Sequence, residues 1–173
     1  IKTRPEILVA RRSNSGRHNA HSFFAFDLSS VDWSQAESAQ LRLNLVPSAA
    51  GFAARLPRIN RFAVYGLTNA AKANWKSNGA WDDAPQPDDG VLLGYFEIPR
   101  SQKRGSFSVR SDELLEFLKA RQDGVATLIL TRETTFIAGA GKGLTHTFAS
   151  DSHPEATGPA LEFSIKNTPA DAR

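Results

Sequence analysis

Residues 22–28 read Ser22-Phe23-Phe24-Ala25-Phe26-Asp27-Leu28, and residues 38–45 read Ser38-Ala39-Gln40-Leu41-Arg42-Leu43-Asn44-Leu45. In both, an apolar side chain returns at every second position: Phe24, Phe26 and Leu28, then Leu41, Leu43 and Leu45. Successive side chains of a strand point to opposite faces, so this pattern specifies half-buried antiparallel strands with one face on a core and one in water. A short polar loop, Ser29 to Glu37, separates the two, with room for one helical turn at 32–37.

The same alternation, bounded by Gly, Pro, Asn and Ser, predicts further strands at 6–13, 59–67, 91–98, 106–110, 125–131, 144–149 and 161–165, and the third strand at 39–46. Phe62 and Val64, and Phe107 and Val109, are expected to face inward. Leu128, Leu130, Phe163 and Ile165 complete the expected core. The period changes once. Over 111–121, Leu114, Leu115 and Leu118 form a helical stripe. Ser111 or Asp112 can cap it, acidic residues fill its first turn and basic ones its last. Many short strands with one short helix predict an all-β sandwich of two antiparallel sheets. No composition break divides the chain, so residues 1–167 read as one module and 168–173 as a tail or linker stub.

Composition narrows the function classes. Cysteine is absent, which excludes a disulfide framework and thiolate metal sites. No apolar run approaches the ~20 residues of a membrane-spanning helix. The chain starts at Ile1, which reads as a processed or excised piece of something longer. The formal charge is +3. Basic residues cluster as Arg11, Arg12 and Arg17, then Arg55, Arg58 and Arg61, then Arg100, Lys103 and Arg104. Such a balance fits either a solvated surface or an anionic partner.

The word order Phe26-Asp27-Leu28-Ser29-Ser30, loop, Ser38-Ala39-Gln40-Leu41-Arg42-Leu43 resembles the DNRLRE-type jelly-roll domains of secreted bacterial proteins. Those are similar to the alginate-binding carbohydrate-binding modules. The resemblance continues through Trp75, Trp81-Asp82-Asp83-Ala84-Pro85, Gly90-Val91 and Phe107-Ser108-Val109-Arg110. It then runs through the helix, Gly124, 127–130, Phe148-Ala149-Ser150 and Pro159-Ala160-Leu161. Two departures stand out. An opening strand of the family is reduced here to Ile1-Lys2-Thr3, and the usual Asp-Val-Thr at the helix entry is Val109-Arg110-Ser111. The resemblance implies a jelly roll, secretion or cell-surface display, and a non-catalytic module beside the catalytic domain of a parent enzyme.

Candidate site residues follow from residue type and strand parity. Arg42 and Arg61 oppose the inward Leu and Phe of their strands, and Tyr65 shares the face of Arg61. Two Arg and a Tyr on one sheet surface would hold a sugar carboxylate or sulfate by bidentate bonds and a flat apolar contact. Arg132 and His146 are expected to join that face, and Trp33 to be exposed in its polar loop as a stacking partner. The alternative for this face is a polar sheet surface that discourages edge pairing.

Other constellations point elsewhere. Loop carboxylates Asp82, Asp83, Asp88 and Asp89 have the chemistry of a structural calcium site or of a plain acidic turn. His18 and His21 read as surface histidines, since zinc needs three or four converging ligands. His146, Ser150, Asp151 and His153 have the residue types of a hydrolase, but no nucleophile elbow accompanies them. Gly139-Ala140-Gly141-Lys142-Gly143 fails the phosphate-loop pattern at both ends, because Phe136 and Gly143 stand where Gly and Ser or Thr are required.

The expectation is thus a jelly-roll module that binds an acidic polysaccharide, alginate or a sulfated algal glycan. It needs no cofactor, binds no nucleic acid and inserts into no membrane. The alternatives are a structural spacer at the cell surface or between domains, and a polysaccharide lyase using Arg, His and Tyr.

Overall fold

The computed structural model describes residues 6–13, 19–73, 83–121, 124–137 and 143–166. Among them the strands are β1 (Ile7–Ala10), β2 (Ser22–Asp27), β3 (Ala36–Val46), β4 (Ile59–Leu67), β5 (Gly90–Pro99), β6 (Gly105–Arg110), β7 (Val125–Arg132), β8 (His146–Ala149) and β9 (Ala160–Ile165). Helix α1 (Asp112–Lys119) lies between β6 and β7. All the expected strands and the helix are present. β3 begins three residues earlier than expected because Ala36 and Ser38 pair with Ile165 and Ser164 of β9 across a register shift.

The strands form two antiparallel sheets. One has the order β1-β8-β3-β6, with β9 also on β3; the other has the order β2-β7-β4-β5. This interleaving of early and late strands is the double Greek key of a jelly roll. β8 and β9 share one lane along β3: β8 pairs with Leu45 and Val46, and β9 with 36–42. The segment 150–159 loops out between them.

Alternation positions the core. Leu41, Leu43 and Leu45 of β3, Phe62 and Val64 of β4, and Leu128 and Leu130 of β7 are buried between the sheets. Phe62 stacks on Phe96 at 5.1 Å and meets the edge of Phe148 at 5.7 Å. Four expected core residues differ. Phe24, Phe26 and Phe163 are only partly buried against this core. Ile165, at the end of β9, is 64% exposed.

Helix α1 closes one open end of the sandwich. Ser111 caps it as expected: its Oγ accepts from Leu114 N at 3.0 Å and donates to Leu93 O at 2.5 Å. Leu114, Phe117 and Leu118 make the buried stripe, with Leu115 only partly buried, so Phe117 takes the place expected of Leu115. The Phe117 ring lies on Gly66, where an added Cβ would come within 2.5 Å of it.

The most consequential difference concerns neighbours. β2 and β3 are consecutive and alternate alike, yet they lie in opposite sheets, as do β3 and β4. Arg42 on β3 and Arg61 on β4 therefore point out of opposite sides of the sandwich. The expectation that they line one surface is overturned.

Candidate functional site

The outer face of the β2-β7-β4-β5 sheet holds Arg61 and Tyr65. Strand register builds it up row by row. Phe23, Ile129, Tyr65 and Leu92 form one row across the sheet. Thr131, Ala63 and Tyr95 form the next, and Arg61 faces Glu97 in the one after. A register shift between Val64 and Tyr65 leaves Leu93 unopposed on β5 and sends it into the core. Gly94 beside it has φ 151°, a conformation that side chains rarely adopt, and a Cβ there would meet Val109 at 2.6 Å. The bulge keeps Leu92 and Tyr95 both on the outer face.

Arg61 lies over the Tyr95 ring at 3.7 Å from its centroid, a diagonal pair across β4 and β5. Its backbone is pinned by Glu133, whose N–H donates to Arg61 O at 2.8 Å. Glu133 in turn accepts from Thr131 Oγ1 at 2.7 Å and pairs with Arg12 at 3.4 Å. Burial lowers the His21 pKa, and Arg12 adds to this while Glu133 opposes it. Burial also raises the Tyr65 pKa, with the Glu133 charge acting in the same direction. Ile129, Ala63 and Thr131 are buried on this face and Tyr65 is half-buried, so the accessible platform is its β4–β5 side, with the exposed Arg61 on the Tyr95 ring and a charge-paired rim.

Sequence reasoning found Arg61 and Tyr65 here but missed Tyr95, Glu133 and Arg12 as their companions. Tyr95 and Glu97 alternate with the inward Phe96 and Ile98, so parity marks them as outward. Their meeting with Arg61 depends on cross-strand register, which has no local signature.

The remaining expected binding residues lie elsewhere. Arg42, on the other sheet, is held by Glu162 at 2.8 Å within a polar surface where Gln40 donates to Ser108 at 3.1 Å. A shallow recess of about 330 Å³ on that side is lined by Asn44, Gly105, Ser106, Glu155, Ala156 and Thr157. Asn44 donates across it to Thr157 O at 2.9 Å. Trp33 is not exposed as expected. Its ring is partly buried, edge-on to Phe163 at 5.5 Å, because the loop folds back on β9.

Arg132 and His146 are not surface residues either. They are 1% and 2% exposed. Arg132 shares the inward parity of Leu128 and Leu130 and pairs in register with Phe62. Its guanidinium donates to Leu144 O at 2.7 Å, Arg12 O at 2.8 Å and His146 Nδ1 at 3.2 Å. It also lies 5.0 Å from the Phe136 ring centroid. Since Arg can only donate, Nδ1 of His146 is the acceptor and the ring proton sits on Nε2. Burial, with the Arg132 charge second, pushes the His146 pKa down to about 3. Burial, with Arg11 second, lowers that of Arg132 to about 10. These two groups fasten the ends of β1, β7 and β8 together.

The hydrolase-like run does not converge. His146 faces the interior, while His153 Nδ1 accepts from the N–H groups of Glu155 and Ala156, each at 3.1 Å, in the following turn. Among the calcium candidates, Asp89 already accepts from Gln86 N at 2.9 Å and from Asn69 Nδ2 at 2.7 Å, capping a short turn. Asp88 lies in that turn and Asp83 at the end of the preceding segment. Among the described residues no three acidic or histidine side chains are grouped as metal ligands. Asp82, His18, Trp75, Trp81, residues 138–142 and the tail 168–173 lie outside the described residues.

No family model and no curated protein sequence matches the chain. Among solved structures it is similar to latent aurone synthase, a polyphenol oxidase. The recombinant enzyme is 14% identical with a TM-score of 0.44, over 95% of this chain and 29% of that one. The enzyme from its natural source is 12% identical with a TM-score of 0.42, over 93% and 28%. The chain thus spans less than a third of the length of those proteins.

Proposed function

We propose that this chain is a non-catalytic module that binds an acidic polysaccharide, such as alginate or a sulfated algal glycan, through the outer face of the β2-β7-β4-β5 sheet. The observation that carries the reading is the exposed Arg61 guanidinium stacked on Tyr95, with Tyr65 on the same face. A pyranose ring is flat and apolar on its faces and polar at its edges. Tyr rings supply the first kind of contact, and an Arg fork supplies a bidentate bond to a carboxylate or sulfate. The resemblance to the DNRLRE-type domains supports the same reading and adds a secreted or cell-surface setting beside a catalytic domain.

Affinity electrophoresis and calorimetry with acidic and neutral polysaccharides test this. The chain is expected to retain acidic glycans, more weakly as salt rises, because exposed charges are screened beyond ~8–10 Å at physiological ionic strength. Arg61→Ala should weaken binding by about 1.5–3 kcal/mol, the scale of a hydrogen bond to a charged group. Arg61→Lys should restore only part of it, since an ammonium lacks the planar fork. Arg42→Ala, on the opposite face, should leave binding unchanged. Retention of no acidic glycan at low salt would overturn the function and leave a structural spacer. Release of unsaturated products from the polysaccharide would make the chain a lyase.

A further inference from the structure

The geometry points to a second cationic surface continuous with the platform, at the end of the sandwich where β4 begins and β5 ends. There the same polyanionic chain continues off the sheet. This rests on the proposed glycan reading and extends it from one sheet face to a track that reads polymer length.

Two basic clusters some forty positions apart in sequence become one surface through β4–β5 pairing. Ile59 pairs with Pro99, Arg100 N donates to Arg58 O at 2.8 Å, and Arg100 Nη1 donates to Leu56 O at 3.0 Å. Arg55, Arg58, Lys103 and Arg104 are exposed around this junction. Among the described residues none of the four makes an ion pair. The segments 47–61 and 98–110 contain no Asp or Glu. Glu97 and Glu133 lie at the adjoining edge of the platform, whereas Asp88 and Asp89 before β5 and Asp112, Glu113 and Glu116 on α1 lie toward the opposite end. The basic end itself therefore carries an excess of positive charge that a polyanion can meet.

The surface also offers apolar contact. Phe52 is 63% exposed with the Arg55 guanidinium 5.2 Å from its ring centroid. Ile137, whose N–H donates to Arg55 O at 3.2 Å, is exposed beside it. Arg61 lies only three residues along the chain from Arg58, so platform and end adjoin. An Arg over an aromatic ring occurs on both, at Arg61–Tyr95 and Arg55–Phe52.

Alginate oligomers of increasing length are titrated at low and physiological salt. The proteins compared are the unmodified chain, Arg58→Gln/Lys103→Gln/Arg104→Gln and Arg61→Ala/Tyr95→Ala, each checked for an unchanged thermal transition. All three residues of the triple variant are exposed, and among the described residues none donates a side-chain hydrogen bond. The unmodified chain should bind longer oligomers more tightly. The triple variant should match it on the shortest oligomers, lose roughly tenfold on long chains and show a flatter salt dependence. A triple variant that binds long chains as tightly as the unmodified chain overturns the track, and a weakened Arg61→Ala/Tyr95→Ala variant then leaves the platform standing. A weakened triple variant beside an unaffected platform variant supports the basic end and overturns the platform. Binding of phosphatidylserine vesicles or duplex DNA through these cations, without alginate, overturns both.

Discussion

Arg132 is a charged residue in a core position, and its surroundings explain how it is tolerated. Burying a guanidinium without partners is costly, and here Leu144 O, Arg12 O and His146 Nδ1 accept from it. Arg132→Met should cost about 2–4 kcal/mol in urea unfolding, because buried acceptors on several segments lose their donor at once. His146 sets a pH dependence. Its folded pKa of about 3 lies below the ordinary value of 6.5, so between these limits the unfolded chain binds a proton that the folded chain refuses. The stability due to its neutral form is complete above about pH 6.5 and is lost as pH falls toward 3, with a slope of up to ~1.4 kcal/mol per pH unit. Burial of His21 acts in the same direction. Melting temperatures from pH 7 to pH 4 should therefore fall. The fall should be shallower in His146→Gln, which keeps an acceptor for Arg132 but has nothing to titrate. An equal fall in both proteins would assign the pH dependence to other groups.

At the scale of elements, strand pairing and helix docking make separate demands. Phe62 is fully buried among Phe96, His146 and Phe148, so Phe62→Ala should cost about 3–5 kcal/mol. Phe26 has the same inward parity but is only partly covered, and Phe26→Ala should cost less, about 1–3 kcal/mol. Equal losses in chemical denaturation would mean that β2 is sealed more tightly than its exposure indicates. Helix α1 depends on a missing side chain. Gly66 lets Phe117 lie against β4, and Arg121 then donates to Leu67 O at 2.6 Å while covering the Phe117 ring at 4.9 Å. Gly66→Ala should displace the helix at a cost of about 1–3 kcal/mol. Amide exchange should accelerate across α1 and remain slow in β3 and β7; uniform acceleration would count against local undocking.

Across the whole molecule, the jelly-roll winding sends consecutive strands to alternate sheets and gathers particular loops at each end. This gives the chain two distinct outer faces. The β3 face is polar, with Arg42 paired to Glu162. The β4 face carries the Arg61–Tyr95 stack and opens onto the basic end. Glycan retention that weakens in Arg61→Ala but not in Arg42→Ala would separate the two faces, and loss in both would place the ligand differently. The salt dependence of that retention belongs to this scale too, because the basic end is assembled from segments that only the β4–β5 pairing brings together.

The local physics of the strands and the helix was legible in the sequence. Alternation identified each strand and most of its inward side chains, and Ser111 and Asp112 marked the helix start, because these depend on neighbours within a few residues. Parity even pointed Arg132 inward with Leu128 and Leu130, and pointed His146 inward with Phe148. The general expectation that charge stays in water obscured that signal, since acceptors supplied by Leu144 and Arg12 cannot be read from the strand that carries the guanidinium. Only the tertiary structure decided which strands are neighbours. Period two states that Arg42 and Arg61 face outward, but the side of the sandwich on which each lies depends on long-range pairing and sheet order. The same pairing joined Arg58 to Arg100 and set Arg61 over Tyr95. No short stretch of sequence encodes such contacts, because their energy comes from surfaces that meet only when both sheets close on the core.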